Sequence, residues 1–447
     1  MKNRRLKKKD LLEMLSTLEE ANQLIGDKGG SDMPDFFDTL TQCQEAALAI
    51  GSHLESLGES GQRIVRVLEN YCENIYQMSL AAEDGGRLGK IAKKIRKELL
   101  TVKNRIRYEL PDDKKEVVFL PYKASMWDSF ESVWKKAEAD ENCETYVIPI
   151  PYFDKNSDGS LGQMHYEGNQ YPDDVPVTSW QEYDMAARRP DVIFIHNPYD
   201  DCNYVTSVHP DFYAKELKEY TDMLVYIPYF ICINDVVREE FCISPGSIYA
   251  DRVILQSDVV RIKYIEFYHR WEDSQGCRDV FGKAEEKFLA LGSPKFDKVA
   301  SAKREDYVLP QEWRRLIERE DGSKKKVVLY NTTIGAMLKD TQKMLIKIND
   351  VMQIFQKRQE EIVLLWRPHP LLEATLKSMR WDYEKIYNGI VETFRKAAWG
   401  IYDDTADLYR AIVVSDAYYG DNSSVVELYK RTGKPIMIQN TNIMGSK

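Results

Sequence analysis

The sequence predicts an α/β protein in which two doubly wound, Rossmann-like lobes face a cleft and follow an N-terminal helical segment. From about residue 111 onward, short and nearly continuous apolar runs alternate with helical or looped stretches, as in parallel sheets covered by helices on both faces. Before that point apolar residues recur only at helical spacing. The 447 residues exceed one ordinary core, so we expect domains at 1–110, 111–305 and 306–447.

Composition and charge limit the classes of function. With 43% hydrophobic and 30% charged residues, the chain has the composition of a folded globular protein. Its formal net charge of -10 argues against a general nucleic-acid binder, because affinity for a phosphate backbone requires clustered Lys and Arg. Any basic site must therefore be local.

Cysteine usage and hydropathy bear on the compartment. The seven cysteines show no CxxC spacing, so we expect a reducing cytosol and neither a disulfide framework nor a zinc site. No run of about 18 apolar residues occurs, so export and membrane spanning are not expected. The predicted location is the cytoplasm. The basic run 1–9 leaves peripheral contact with the inner face of the membrane open as an alternative.

The first 110 residues read as a helical hairpin or small bundle. Apolar residues recur at helical spacing from Leu11 to Leu18 and again from Ile64 to Ile75. Glycine-rich breaks at 26–30, 58–61 and 85–86 separate the helices. We interpret the apolar stripes as core or as a face for self-association, with no chemistry of their own.

Two series of strands follow, one in each predicted lobe. In the first lobe we expect strands at 116–121, 145–150, 191–196, 223–228, 252–256 and 288–291. In the second we expect them at 326–330, 362–366, 399–402, 411–415 and 435–438. Open α/β sheets bind ligands beyond the carboxyl ends of their strands, so the residues that follow each strand are the candidates for a site.

Arg367 and His369 follow a predicted strand in the motif Arg-Pro-His-Pro. The guanidinium offers a fixed fork for phosphate oxygens, and the imidazole can donate a hydrogen bond or a proton to a departing phosphate. Two prolines would hold both side chains at the strand end. A purely structural turn is the alternative interpretation of these four residues.

A second cluster, Gly420-Asp-Asn-Ser-Ser424, joins a strand end to a helix. Asn422, Ser423 or Ser424 would cap that helix, and free N–H groups at a helix start suit the phosphates of a nucleotide donor. Glu427, in the first helical turn, is a candidate acceptor for ribose hydroxyls. An ordinary N-cap followed by an acidic residue is the alternative.

Together these stretches resemble the CDP-glycerol glycerophosphotransferase family, the teichoic-acid polymerase group of GT-B transferases. In that family an Arg-x-His-Pro element and an acidic-Tyr-Ser-Ser element, here Asp421 to Ser424, bind the CDP moiety. Further similarities are Leu291-Gly-Ser-Pro-Lys-Phe-Asp297, Lys434-Pro-Ile-Met-Ile438 and the strand end Tyr330-Asn331-Thr332-Thr333. The resemblance covers about 115–440. It implies a GT-B fold and adds Asn331, Thr332, Thr333 and Asp421 to the expected donor-binding residues.

Two departures from the family pattern stand out. Asn422 replaces the tyrosine of the acidic-Tyr-Ser-Ser element. The family's Trp-His-Gly, whose histidine is the proposed general base, is absent, and the comparable strand reads Leu-Val-Tyr-Ile-Pro-Tyr over 224–229. His196, at the end of the strand at 191–196, and Asp200 in the following loop are the substitute candidates for catalysis.

The expected acceptor-side residues lie in the first loop of the first lobe. They are Lys123, Ser125 and Asp128. No phosphate-loop, zinc-helix or nucleophile-elbow motif occurs, and the turn at 154–159 lacks the further ligands of a calcium loop. We therefore expect no metal and no cofactor beyond the donor.

The resulting hypothesis is transfer of glycerophosphate from CDP-glycerol to a hydroxyl of a glycan, lipid-linked or teichoic-acid-like acceptor, with release of CMP. The expected partners are this donor and acceptor, without nucleic acid. Two alternatives stay open. One is a GT-B glycosyltransferase that uses a nucleotide sugar, and the other is a catalytically degenerate, nucleotide-binding interaction protein.

Overall fold

The computed structural model describes residues 6–28, 35–405 and 407–439. By their contacts, the described residues divide into two compact units. The first runs up to Lys115 and includes Asp184–Arg188; the second comprises Glu116–Tyr183 and the chain from Arg189 onward. In the part of the chain that the structure describes, no helix has the length and apolar character needed to cross a bilayer.

The first unit is a bundle of four long helices, which confirms the predicted helical segment. They are α1 (Lys8–Lys28), α2 (Phe36–Glu55), α3 (Glu59–Leu80) and α4 (Gly85–Glu109). One buried side of each helix builds a single apolar core. In the predicted break at 58–61, Gly58 lies between α2 and α3 and the other residues begin α3. The break at 85–86 begins α4, and Gly29 and Gly30 lie outside the described residues.

The strands of the second unit follow the predicted alternation. In chain order they are β1 (Lys115–Leu120), β2 (Cys143–Val147), β3 (Tyr152–Lys155), β4 (Leu161–His165), β5 (Val192–Ile195), β6 (Thr206–Val208), β7 (Met223–Tyr226), β8 (Arg252–Leu255), β9 (Phe288–Ala290), β10 (Lys326–Thr332), β11 (Ile362–Pro368), β12 (Ile401–Tyr402), β13 (Ala417–Gly420) and β14 (Ile436–Ile438).

Helices connect and cover these strands, except that Met185–Arg188 belongs to the first unit. They are α5 (Glu131–Glu138), α6 (Met185–Arg188), α7 (Ala214–Lys218), α8 (Glu239–Cys242), α9 (Pro245–Tyr249), α10 (Asp258–Gln275), α11 (Ala284–Lys287), α12 (Pro294–Ser301), α13 (Gln311–Ile317), α14 (Ile334–Lys339), α15 (Thr341–Gln356), α16 (Leu372–Met379), α17 (Trp381–Ala397), α18 (Leu408–Val414) and α19 (Ser424–Lys430).

Two open sheets dominate this unit. The first has the order β2-β1-β5-β7-β8-β9, with parallel pairing from β1 to β9. The second has the order β12-β11-β10-β13-β14 and is parallel throughout. Each sheet belongs to a doubly wound α/β lobe, as predicted. A small antiparallel sheet, β4-β3-β6, contains the turn at 154–159.

The strand orders place a topological switch point in each lobe. In the first sheet the order reverses between β1 and β5, and in the second between β10 and β13. At a switch point the loops leaving two neighbouring parallel strands run to opposite faces, which opens a crevice at their carboxyl ends. Ligand sites are therefore expected there.

One predicted strand is wrong. Residues 411–414 belong to α18, Ser415 follows the helix as its C-cap, and the strand lies later, at β13. Asp407 caps this helix by accepting a hydrogen bond from the Arg410 amide at 3.0 Å. A short apolar run reads equally well as a buried strand or as one buried side of a short helix, so periodicity alone did not separate them.

Candidate functional site

The crevice of the second lobe is built where β10 and β13 end. Asn331 of β10 pairs with Gly420 of β13, and the two backbones approach closely. Gly420 has a φ of 143°, and a Cβ at this position would lie 2.3 Å from the Asn331 carbonyl oxygen. The glycine is therefore required for the two loops to leave the sheet side by side.

A buried carboxylate joins these two loops. Asp421 Oδ2 accepts hydrogen bonds from the Thr333 amide at 2.8 Å and the Thr333 hydroxyl at 3.2 Å. Its Oδ1 accepts from the ammonium of Lys347 at 2.8 Å, and both side chains of this ion pair are 3% exposed. Lys347 also donates to the carbonyl of Gln439. The network fixes the start of α14 against the loop before α19.

A second set of hydrogen bonds links all three strand ends. Ser423 Oγ donates to Asn331 Oδ1 at 3.1 Å, and Asn331 Nδ2 donates to the Arg367 carbonyl at 3.0 Å. The His369 amide donates to the Thr332 carbonyl at 2.9 Å. The structure thus brings together the ends of β10, β11 and β13, which carry the predicted donor-binding residues.

Only part of the predicted donor set faces solvent. His369, Asn422 and Ser424 are exposed and Thr333 is half-buried, whereas Asp421 and the other strand-end residues are buried. The exposed side chains can reach a ligand in the crevice. The buried ones hold the loops in place.

The His369 ring is poised as a hydrogen-bond donor. Its Nδ1 accepts from the Leu371 amide at 3.2 Å, which assigns the remaining proton of the neutral ring to Nε2. Partial burial lowers the pKa of His369 below its usual 6.5, so the ring is neutral at pH 7. A neutral Nε2–H can donate to a phosphate oxygen.

Arg367 is anchored by the loop that follows β12. Its guanidinium is buried, pairs with Asp403 and donates to the Thr405 carbonyl at 2.7 Å. The Asp403 side chain is fully buried, so removing this ion pair would leave a charge without solvent. Arg367 also lines the same cavity as His369, so its contact with a diphosphate stays a prediction.

Thr332 and Glu427 are also engaged within the protein. The Thr332 hydroxyl accepts from Trp366 Nε1 at 3.2 Å in a fully buried position, so it cannot contact a donor. Glu427 Oε1 accepts from the Asn234 amide at 3.0 Å and from Lys430 Nζ at 2.9 Å. Because Asn234 belongs to the first lobe, Glu427 forms an inter-lobe contact rather than the predicted free ribose acceptor.

Asp128 forms another inter-lobe contact. One carboxylate oxygen accepts from Lys295 Nζ at 2.6 Å and the other from the Tyr409 hydroxyl at 2.7 Å. Tyr409 lies on α18 of the second lobe. Asp128 therefore ties the lobes together, and its predicted role in acceptor binding is not supported by this geometry.

His196 is placed at the switch point of the first lobe, but it is sealed off from solvent. The Tyr122 amide donates to Nε2 at 3.0 Å, and the Ser129 hydroxyl lies 2.9 Å from Nδ1. Ser129 Oγ donates to the Met126 carbonyl at 2.8 Å, so Nδ1 carries the ring proton. Burial lowers the pKa of His196 to about 3. With no free lone pair, His196 is not available as a general base.

The buried state of His196 predicts acid sensitivity. An unfolded His196 takes up a proton below pH 6.5, whereas the folded one resists protonation down to about pH 3. The free energy of unfolding should therefore fall as pH drops through this window, by up to about 1.4 kcal/mol per pH unit. Urea titrations of the wild type and His196→Gln between these limits check this, with His53→Gln as the control. An equal slope in the wild type and His196→Gln would contradict the assignment.

The remaining candidates of the first lobe differ in their exposure to solvent. Asp200 is buried, accepts from the Ala214 amide at 2.9 Å, and has its pKa raised to about 7 by burial. Lys123 is half-buried with its ammonium 4.9 Å from the centre of the Tyr152 ring, and Ser125 is exposed. Only the last two could meet an acceptor directly.

The sequence analysis missed Lys347, which anchors Asp421 from α15. A signal was available. Lys347 falls among Met344, Ile348 and Val351 on the apolar stripe of a helix, where a lysine needs a buried partner. Within the described residues, no group of three or more His, Cys, Asp or Glu side chains is arranged to hold a metal ion.

Comparison with known proteins adds to this geometry. Residues 271–444 match the model of the family CDP-Glycerol:Poly(glycerophosphate) glycerophosphotransferase. The match includes the whole second lobe as the structure describes it. A comparison with curated proteins finds no match.

Among solved structures, similar chains include a UDP-N-acetylglucosamine 2-epimerase, at 10% identity and a TM-score of 0.43, covering 73% of this chain and 79% of that one. A putative epimerase of the same kind from Listeria monocytogenes has 12% identity and a TM-score of 0.40, covering 74% and 81%. The wall teichoic acid polymerase TagF has 14% identity and a TM-score of 0.40, covering 83% and 78%. No correspondence between individual residues follows from these values.

The family match thus falls on the lobe whose crevice brings together the exposed His369, Asn422 and Ser424. Residues 271–444 of this chain are therefore similar to the CDP-glycerol:poly(glycerophosphate) glycerophosphotransferase family of transferases.

Proposed function

We propose that the protein transfers glycerophosphate from CDP-glycerol to a hydroxyl of a glycan, lipid-linked or glycerophosphate-polymer acceptor. The observation that carries the proposal is the convergence at the β10/β13 switch point. There the Thr333 and Asp421 loops are locked together, and His369 lies at the next strand end. A switch-point crevice is where doubly wound sheets bind nucleotides.

The donor would lie with its diphosphate over the exposed ends of these loops. The hydroxyl of Ser424 and the side-chain amide of Asn422 can donate hydrogen bonds to phosphate oxygens from one side. His369 offers Nε2–H from the other strand end. The pairing of Arg367 with Asp403 holds Arg367 in the wall of the cavity that it shares with His369.

The reaction is an in-line displacement. The acceptor oxygen forms a bond to the phosphorus that carries glycerol, and the bond from that phosphorus to the bridging oxygen breaks. CMP leaves with the bridging oxygen and its electron pair, while the acceptor proton passes to a base or to solvent. Hydrogen bonds that strengthen as charge develops on CMP lower the barrier, and we assign this role to His369.

On the acceptor side, we propose Lys123 and Ser125 as the residues that meet the incoming chain. The Lys123 ammonium stacks on aromatic rings and remains half-buried, so it can attract a phosphate-bearing acceptor without being fully solvated. Peripheral membrane contact and self-association through the helical unit stay predictions.

A nucleotide-sugar transferase is the second candidate function, because the same crevice would hold any nucleoside diphosphate. The buried state of His196 supports a third, a nucleotide-binding protein without turnover, since the expected substitute for the family's base is not available. The identity of the bound nucleotide and the release of CMP separate the three.

Calorimetric titration of CDP-glycerol, CDP and UDP-sugars, together with an assay of CMP release on a glycerophosphate acceptor, tests the proposal. We expect preference for CDP-glycerol, and about tenfold weaker binding by Ser424→Ala through loss of one hydrogen bond to a charged group. Ser301→Ala, an exposed serine at the end of α12, is the matched control. Tight UDP-sugar binding favours the sugar transferase, binding without CMP release favours the degenerate protein, and no nucleotide binding contradicts all three.

A further inference from the structure

Helix α4 contains more Lys and Arg residues than any other helix of the helical unit. It contains nine Lys and Arg residues and two Glu residues, whereas α2 contains no Lys or Arg and three acidic residues. The whole protein has a net charge of -10, so this helix is a local reversal of sign. Surfaces that serve only solubility usually intersperse both signs.

The cations of α4 form a continuous exposed stripe. Lys90, Lys94 and Lys97 are all exposed, and their spacing of four and three residues places them on one side of the helix. Lys93 and Arg96 flank them and are exposed as well. At a rise of about 1.5 Å per residue, the stripe presents a cation every 4–6 Å along the helix axis.

Carboxylates of the bundle neutralise these cations only in part: Lys94 attracts the Glu98 carboxylate, and Lys93 and Arg96 line a cavity with Glu19 and Asp27. Among the described residues, no ion pair involves any of the five, whereas Lys103 of the same helix pairs with Glu19 at 2.5 Å. Glu98, the one carboxylate in this stretch, is half-buried and accepts from Asn74 Nδ2 at 3.0 Å. Among the described residues Lys90 and Lys97 therefore form no ion pair, and the charges of the other three cations are balanced only in part.

We propose that the stripe formed by Lys90, Lys93, Lys94, Arg96 and Lys97 binds a linear phosphodiester polymer of the glycerophosphate type. The argument is charge complementarity, because a polymer with one negative charge per repeat meets a row of regularly spaced cations. This inference rests on the proposed function, since the family name identifies poly(glycerophosphate) as the acceptor class.

A lipid surface fits the stripe less well. Binding in a membrane interface needs apolar side chains beside the cations, and from Lys90 to Lys97 the apolar residues are buried or half-buried. The same stretch contains no aromatic residue on which the bases of a single-stranded nucleic acid would stack. A polyanion without bases or acyl chains remains the best match.

Each lysine or arginine of the stripe would contribute little to the affinity for the polymer, but their combined contribution would be large. A single exposed lysine contributes little to binding, but several cations that displace counterions from one polymer give an affinity that falls steeply with salt. A chain held on the enzyme also raises the effective concentration of its reactive end. The stripe would then favour repeated transfer to the same polymer.

The test compares full-length Lys90→Gln/Lys94→Gln/Lys97→Gln with a variant of equal charge change elsewhere, Lys136→Gln/Lys263→Gln/Lys283→Gln, whose three lysines are also exposed. The probe is a fluorescently labelled poly(glycerophosphate) chain, measured by anisotropy between about 50 and 200 mM salt. We expect the α4 variant to bind at least about tenfold more weakly, with a shallower salt dependence, and the control to bind like the wild type. Equal losses in both variants, or none in the α4 variant, would overturn the proposal.

Three further measurements complete the experiment. Binding of the same proteins to vesicles rich in phosphatidylglycerol and to single-stranded DNA is measured as well. If the α4 variant loses more affinity for either of these than for the polymer, the polymer is not the ligand of the stripe. CMP release with a short acceptor should be unchanged in the α4 variant. If the wild type releases no CMP yet binds the polymer through these lysines, the proposed function fails while the binding site stands.

Discussion

Replacing His369 with alanine should lower kcat by about 10²–10³-fold while KM for CDP-glycerol changes far less. The physical reason is that Nε2–H is expected to gain strength as charge develops on the departing CMP, so the loss falls on the transition state. His369 is exposed, and its side chain accepts a hydrogen bond only from the Leu371 amide, so the variant should still fold. A loss of kcat in steady-state kinetics, together with an unchanged melting temperature, would support this role.

The pH profile separates a neutral donor from an acid. Because partial burial lowers the pKa of His369 below 6.5, the ring is neutral from pH 7 to 9, and a neutral donor keeps kcat constant there. An essential imidazolium would instead make kcat fall about tenfold per pH unit above its pKa. His369→Gln, which retains an N–H donor, should recover part of the activity. A kcat within twofold of the wild type for His369→Ala would remove this residue from the mechanism.

Replacing Lys347 with methionine should destabilise the protein by about 3–5 kcal/mol. The variant keeps the apolar stem of the side chain but leaves Asp421 as a buried carboxylate without its cation, and the cost of an unpaired buried charge exceeds that of removing both partners. Urea unfolding followed by tryptophan fluorescence gives the change in the free energy of unfolding. Because Asp421 also holds the Thr333 loop, binding of CDP-glycerol should weaken as well.

Two variants make this prediction specific. Lys343→Met lies on the same helix, but Lys343 is 65% exposed and pairs with Asp340 on the surface, so its change should stay below about 1 kcal/mol. In the double variant Lys347→Met/Asp421→Asn, part of the lost stability should return because the buried charge is gone. If Lys347→Met and Lys343→Met lower the free energy of unfolding equally, the buried pair contributes no more to stability than the surface pair.

Sequence periodicity was a good guide to architecture because it is a local property. Apolar runs at β10 and β11 predicted buried parallel strands, and helical spacing predicted the bundle. Periodicity failed at α18, where six of seven residues are hydrophobic and the run is too short to distinguish a strand from a helix. The strand ends that could carry a site were also predictable, since they follow from where each run stops.

By itself, then, the sequence determined the fold class, the family resemblance and the places in the chain where a donor could bind. Tertiary structure decided which side chains at those places are free. Arg367 meets Asp403 and His196 meets Ser129, partners that lie far along the chain from the residues they engage. These non-local contacts decide whether a polar group bonds within the protein or remains available to a ligand. A buried donor or acceptor needs a hydrogen-bond partner, and the tertiary packing determines which partner is near.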